Sequence, residues 1–486
     1  MKKRLTALIL AGCMMILTAC TGADPANGSE TADPSAVNQP DDGGMQPDIP
    51  KELRYDGRSF RVLATPDAYY GPVINEEFEL ENNADVLGQA LYNRLLAVEN
   101  RFGITMELNY GVEHEILSAS RASINSQSDD YDLVVDVADR HTAGIYEGLY
   151  LPVNELPYID LEKPWWNKAY IESVSINPAN PYILFGAINH NGLQRSICTF
   201  FNMDLLEERK GMTAQDMYDL VIDGGWTLDK LIEFSADMYN DENGNTAADM
   251  GDLFGFVTNG LYQVELIAYS SGLKFTDRDE NGYPVLALNN ERTILLADKL
   301  LKLFVNNPST YRNLDNTAHI TLFGEGRAAF LVNRFFIAEW GQLRDSDVNY
   351  GIIPAPKLDE SVENYCTAIA SNTQWQMVPI TEPDPKFASA IIEYLSYYGY
   401  EHVVPAYYDI TLKFKYTRGD LDGASKMLDL IVDSAYTDFM YVNDLGGMQS
   451  IFRQVVDAGQ NNFSSKYAEQ EMVAKNRLKG YIEALG

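Results

Sequence analysis

The sequence predicts an α/β protein, and three observations carry that reading. Short apolar runs of strand type alternate with longer segments whose apolar residues recur at three- and four-residue spacing. From Phe60 to Val137 the order is strand, helix, strand, helix, strand, which gives a parallel, doubly wound sheet with right-handed crossovers. Polar clusters then stand at strand carboxyl ends, where open α/β sheets hold small ligands. The chain has 486 residues, enough for two or three domains' worth of core.

The chain opens on a targeting segment. Lys2-Lys3-Arg4 is charged, and Leu5 to Leu17 is apolar but too short to span a bilayer comfortably. Leu17-Thr18-Ala19-Cys20 resembles a bacterial lipobox, in which small residues precede a cysteine that is lipidated after cleavage. Residues 1–19 are thus expected as a signal peptide and Cys20 as the lipid anchor. Residues 20–51 are Pro, Gly, Asp, Ser and Ala with almost nothing to bury, and are expected to form a disordered tether.

Phe60 to Ala64 is a strand ended by Pro66, and the loop Asp67 to Gly71 carries Tyr69 and Tyr70. Asp85 caps a helix on which Leu87, Leu91, Leu95, Val98 and Phe102 share a face, and Gly103 ends it. Ile104 to Leu108 is a strand, Glu115 to Ile124 a helix and Tyr131 to Val137 a third strand. Asp136, Asp139 and Arg140 lie at its carboxyl end, either as a solvated loop or as hydrogen-bonding groups for a ligand. Trp165 and Trp166 are expected to pack, because tryptophan is mostly buried wherever it sits. Pro181 to Asn189 is expected as a strand leading to a crossover, with Gln194 and Arg195 just beyond.

Ile197 to Phe201 begins a second set of strands, and Thr227 caps a helix through Met238. Asp241, Asn243, Asn245, Asp249 and Asp252 then fall at positions one, three, five, nine and twelve of a loop, the spacing of an EF-hand calcium site. Position six is Thr246 where that loop has glycine, and position twelve is Asp252 where it has glutamate. A structural calcium and an Asx-rich turn are the two readings. Strands follow at Leu253 to Val257 and Tyr283 to Leu288, and a periodic helix at Glu291 to Phe304. Ala328 to Val332 is a buried strand, with Asn333, Arg334, Phe335 and Phe336 at its carboxyl end. On a helix successive side chains diverge by about 100°, and on a strand they oppose, so at least one phenylalanine faces away from the strand's core. Val348 to Ile353 is a strand stopped by Pro354 and Pro356. Thr367 to Ile380 is strand-like, Phe387 to Tyr398 a helix, and Met448 to Leu485 helical.

Composition excludes some functions. Hydrophobic content of 46% with 22% charged residues is ordinary for a globular chain, and 30 tyrosines suit a cleft for sugar or peptide. A net charge of −33 argues against nucleic acid and against broad contact with anionic lipid. The five histidines form no H-x-x-H or H-E-x-x-H pattern, and there is no G-x-S-x-G, Walker loop or G-x-G-x-x-G after a strand. No catalytic residue and no required cofactor is assigned. Accidental carboxylate pairs leave a glycoside hydrolase open. Cys198 and Cys366 sit in apolar runs and are expected to be buried free thiols.

Gly326, Ala329 and Asn333, with Phe335 and Phe336, resemble a return segment of the extracellular solute-binding proteins of ABC importers, the family 1 group that includes maltose-binding protein. There a G-x-x-A-x-x-x-N strand leads to an aromatic that stacks on sugar. A N-Y-G-I/V-x-P-x-P strand then crosses between lobes; here it is Asn349-Tyr350-Gly351-Ile352 with Pro354 and Pro356. Phe200 to Leu206 resembles the family's F-x-N-K-D-L-L, with Met203 in place of lysine. Lys163-Pro164-Trp165-Trp166 and Pro405 to Lys413 resemble clostridial members. The resemblance runs from about residue 55 to the end.

It implies a two-lobe, venus-flytrap fold of the type II periplasmic-binding-protein kind. Residues 52–194 and 350–400 are expected in lobe 1, and 195–349 and 401–486 in lobe 2, with hinge crossovers near Asn189–Arg195 and Val348–Pro356. In sugar-binding relatives a D-x-x-x-x-x-x-D-R run ends with an acid and an arginine on the ligand; here it is Asp132, then Asp139-Arg140. Asp136 stands where some relatives carry an aromatic, which suggests hydrogen bonding instead of stacking. The implied ligand set is Asp136, Asp139, Arg140, Gln194, Arg195, Asn333, Arg334, Phe335 and Phe336. The implied protein is a monomeric, extracytoplasmic binding subunit, lipid-anchored to the membrane of a Gram-positive-type cell. It captures a small solute, an oligosaccharide above all, and delivers it to permease subunits. A lipid-anchored glycoside hydrolase and a ligand-sensing subunit of a membrane receptor are the alternatives.

Overall fold

Three parallel strands form the heart of the first sheet: β1 (Ser59–Ala64), β2 (Thr105–Tyr110) and β3 (Leu133–Val137). They are seen in a computed structural model that describes residues 45–65, 86–112, 114–188, 190–408 and 421–485. The signal peptide, Cys20, the Tyr69–Tyr70 loop, Asp85, Asn189 and the Thr411–Lys413 stretch lie outside the described residues. The described residues fall within one compact unit. None of their helices is long and apolar enough to cross a membrane.

Alternation along these strands buries both faces of the sheet. Phe60, Val62, Leu133 and Val135 face helices Val86–Phe102 and Pro385–Tyr398. Leu63 and Val134 face the other way, toward helices Ile116–Asn125, Ala138–Tyr146 and Lys168–Val174. Trp165 and Trp166 pack as expected. They are 1% and 5% exposed, and both indole N–H groups donate to the buried Glu393 carboxylate, at 3.0 and 2.8 Å.

The second sheet begins with β4 (Ile197–Asn202) and β5 (Phe254–Thr258). A small hairpin of β6 (Thr276–Arg278) and β7 (Pro284–Leu286) stands apart from it. β8 (Thr310–Arg312), β9 (Ala328–Arg334) and β10 (Tyr350–Pro354) complete the order β10-β4-β9-β5-β8. β5 runs parallel to β8 and β9, while β4 is antiparallel to β9 and β10. The Glu291–Phe304 helix forms as its periodicity predicts, with Asn290 and Thr293 closing a capping box at its start. Cys198 and Cys366 are free thiols.

A short pair, β11 (Thr367–Ala368) with β13 (Ala435–Tyr436), precedes the return to the first sheet through β12 (Gln374–Met377), antiparallel to β3. No strand belongs to both large sheets. Two passages of the chain between them lie side by side, where Ser196 bridges Ile369 and the Ala370 N–H donates to the Arg195 carbonyl at 3.0 Å.

The structure corrects three expectations. The strand at 350–354, placed in lobe 1 by the sequence, pairs with β4 in the second sheet, and the Trp226 indole donates to the Pro354 carbonyl at 3.0 Å. The crossing therefore follows Ile369 instead of Val348. The segment Pro181–Ile188 makes isolated bridges, such as Leu184 to Gln376, instead of a strand. Residues 45–51, expected in the tether, pack on the first-sheet side. Gln46 donates to the Tyr397 hydroxyl at 2.7 Å, Asp48 meets Lys163 at 3.1 Å, and Ile49 joins the core. One apolar residue between two prolines is enough to dock that stretch.

Candidate functional site

β3 ends at Val137, and a helix starts at once with Ala138. That abrupt change separates two acids that the sequence shows side by side. Asp136 belongs to the strand and points inward. Its carboxylate accepts from Thr65 and pairs with His141 Nδ1 at 2.7 Å, and His141 in turn meets the Tyr150 hydroxyl. This buried network uses both Asp136 oxygens, so Asp136 is structural and not in the cleft. Asp139, on the first helical turn, is open to water and accepts from Ser371 Oγ at 2.8 Å. It stands between protein walls, and this desolvation raises its pKa against the opposing pull of Ser371 and of Arg140. Arg140 is half-buried beside it.

β9 carries the groups of the other sheet. Asn333 is fully buried; its amide meets His319 Nε2 at 3.2 Å and its side-chain oxygen accepts from the Arg334 N–H at 2.8 Å. Phe335 is fully buried in the second-sheet core. Both are wholly inside the protein. Arg334 is half-buried, with its guanidinium 4.6 Å from the Tyr262 ring centre and 4.8 Å from that of Phe336. Phe336, 8% exposed and part of the same core cluster, is the phenylalanine whose ring the guanidinium groups meet. Arg195 lies over its ring at 4.5 Å, and Trp340 meets it edge-on at 5.1 Å. Gln194 is buried and donates to Glu339 at 3.3 Å.

Several groups enter the cleft that sequence reasoning missed. Glu339 is exposed, accepts from the Tyr407 hydroxyl as well as Gln194, and has its pKa raised by desolvation. Tyr441 stands close enough to Glu265, Arg334 and Asp139 for their charges to act on its hydroxyl. It thus marks the place where groups of the two sheets meet. Glu265 is 7% exposed and pairs with Arg453 at 3.2 Å, while burial raises its pKa to about 7. Tyr262 could have been found by the strand-end rule, because it follows β5 by four residues. Nothing local marks Tyr441.

The acids of the proposed calcium loop do not converge on a common point. Among the described residues, Asp129, Asp132 and Glu382 are the one set of three metal-ligating side chains whose ligand atoms lie within 4.8 Å of one another. In the loop, Asp241 accepts from the Gly244 and Thr246 N–H groups at 2.7 and 2.9 Å. Asp249 accepts from the Asn243 and Asn245 amides at 2.9 and 2.6 Å, and Asp252 is fully buried. The arrangement is that of an Asx-rich turn and does not fit a calcium cage.

No protein-family model matches the chain, and the comparison with curated proteins finds no match. Solved structures do. An extracellular solute-binding protein from Staphylococcus aureus in complex with maltose gives a TM-score of 0.57 at 11% identity, over 88% of this chain and 99% of the other. A cyclo/maltodextrin-binding protein complexed with maltotetraose gives 0.58 at 13% identity, over 87% and 99%. The maltose/maltodextrin-binding domain MalE from Bdellovibrio bacteriovorus, bound to maltotriose, gives 0.52 at 16% identity, over 87% and 100%. The fold is the two-lobe, type II solute-binding fold. Each large sheet belongs to one lobe, and the Ser196–Ile369 bridge lies where the chain passes between them. Asp139 and Arg140 follow β3 of one sheet, and Arg334, Phe336 and Trp340 stand at the end of β9 of the other.

Proposed function

We propose that this protein is the substrate-binding subunit of an ABC importer and that it captures a carbohydrate, an oligosaccharide above all, between its lobes. The reading is carried by the strand ends of the two sheets: Asp139 follows β3, Arg334 ends β9 with its guanidinium 4.8 Å from the Phe336 ring centre, and the charges of both act on the Tyr441 hydroxyl. Aromatic faces cover the apolar side of a sugar ring, and acid and guanidinium groups bond its hydroxyls. Similar solved structures in complex with maltose and maltotriose support the ligand class. In this reading Cys20 carries the lipid, the tether ends before Met45, and the chain acts as a monomer that hands intact solute to a permease. Lobe 1 comprises residues from about 45 to 194 and 370 to 404, and lobe 2 the rest.

The test is a thermal-shift screen of the mature protein against a glycan panel. A raised melting temperature with one or more glycans, recovered intact, is the expected result. Cleavage of the stabilising glycan would move the assignment to a hydrolase, and a panel without effect would remove the carbohydrate reading.

A further inference from the structure

A cavity of about 460 Å3 lies beside the passage of chain at Ser196 and Ile369, which both line it, and none of Asp139, Arg140, Arg334, Phe336 or Trp340 does. Its walls include Trp166, Phe185, Tyr400, Val404 and Tyr407. Ligand sites run about 300–1,000 Å3 and are mostly apolar with a few placed polar groups, so size and lining are those of a site for a one- or two-ring molecule. The Trp165 and Trp166 N–H groups both go to Glu393, which leaves neither for a polar occupant. Lys168, also on the wall, is paired with Glu162 and Glu172. Arg94, whose charge reaches His190, does not line the cavity and donates to the Ile188 carbonyl at 2.7 Å, so a charged occupant would meet no unpaired group of opposite sign on the wall, at a desolvation cost that an uncharged one avoids.

His190 supplies the polar group. It lines the cavity, is 3% exposed, and neither ring nitrogen has a hydrogen-bond partner among the described residues. Its ring leans against Tyr407, with centres 4.8 Å apart and planes at 41°. Burial, helped by the Arg94 charge, lowers its pKa to about 3, so the ring is neutral at working pH. A neutral imidazole has one N–H to donate and one nitrogen that accepts. Buried polar groups are nearly always bonded, and one left with both functions unmet calls for a partner. A hydroxyl both donates and accepts, so it satisfies whichever nitrogen faces the cavity, while aromatic walls suit a flat ring.

We propose that this cavity is a second ligand site, that it takes a neutral aromatic molecule bearing a hydroxyl group, and that His190 is its polar anchor. Tyr407, on this wall, donates to Glu339, so the proposal is separated from the carbohydrate reading by the Phe336→Ala control. Calorimetric titration of the mature protein with p-cresol tests it, with toluene as the hydroxyl-free control. Saturable p-cresol binding is expected, at least tenfold tighter than toluene. It should weaken at least tenfold in His190→Phe, which keeps a ring of similar size, and in Val404→Trp, which fills the cavity. Phe336→Ala should leave it unchanged. Absence of saturable binding, equal affinity for toluene, or loss in Phe336→Ala would each overturn the proposal. Should His190→Phe not fold, Val404→Trp decides alone, and p-cresol binding that survives it overturns the site.

Discussion

Phe335 and Phe336 both pack in the second-sheet core, and Phe336 also lies under two guanidinium groups. Truncating the first leaves a cavity in the core. Phe335→Ala is therefore expected to lower stability by about 3–5 kcal/mol, read as a drop in melting temperature, with sugar affinity of the folded fraction retained. Phe336→Ala removes a stacking face as well as core packing, and should weaken sugar binding by the folded fraction by roughly one to two decades in addition to lowering the melting temperature. Calorimetry of both variants with the stabilising glycan separates the roles, and exchanged phenotypes would reverse them. Glu265 and Glu393 add a pH effect. Burial raises both from 4.5 to about 7. The folded chain keeps these protons between about pH 4.5 and 7, where the unfolded chain has released them. Stability from this source is thus full below the lower value and is lost as pH rises through the upper one, by on the order of 3 kcal/mol for Glu265. Glu265→Gln should flatten the fall in melting temperature between pH 5 and 8, and an unaltered slope would remove Glu265 as its source.

At the scale of elements, the loop Asp241–Asp252 shows what spacing alone leaves undecided. The same positions serve a calcium loop or a chain of Asx turns, and the choice depends on whether the carboxylates turn to one centre or to neighbouring N–H groups. Here they turn to N–H groups and amides. The loop should keep its shape without an ion, so EDTA and added calcium are expected to leave the melting temperature unmoved; a calcium-dependent rise would restore the calcium site. Elements set by local periodicity, such as the helix Glu291–Phe304, were legible because capping and an apolar stripe act over neighbouring residues. The sheet joined by Tyr350–Pro354 was not, because an apolar strand has the same composition beside β3 or beside β4. Site residues divide the same way. Asp139, Arg140, Arg334 and Phe336 follow from the strand-end rule. Asp136 departs from it because the helix begins one residue after β3, and Tyr441 arrives from a distant part of the chain.

At the scale of the whole molecule, the two sheets share no strand among the described residues, and two passages of chain between them lie side by side at Ser196 and Ile369. Contacts away from that crossing also join the two parts: Arg278 donates to the Glu172 and Ser173 carbonyls at 2.9 Å, and the Tyr146 and Tyr481 rings stack at 3.6 Å, so a change of mutual angle has to break or shift them. A solute that bonds Asp139 on one side and covers Phe336 on the other gains both contacts together only in the closed arrangement. Its binding energy therefore favours closure. Removing either contact should act on affinity and on closure together. Losing a charged hydrogen bond from a desolvated site costs about 1.5–3 kcal/mol, so Asp139→Ala should weaken sugar binding by about one to two decades, with Ser371 left to solvent. Small-angle X-ray scattering supplies the second readout. The radius of gyration of the wild-type chain should fall as the stabilising glycan saturates it, and Asp139→Ala and Phe336→Ala should need proportionately more glycan to reach the same end point. Contraction of both variants at the wild-type glycan concentration would mean that closure does not depend on this pair of contacts, and the cleft assignment would then fail together with the affinity prediction.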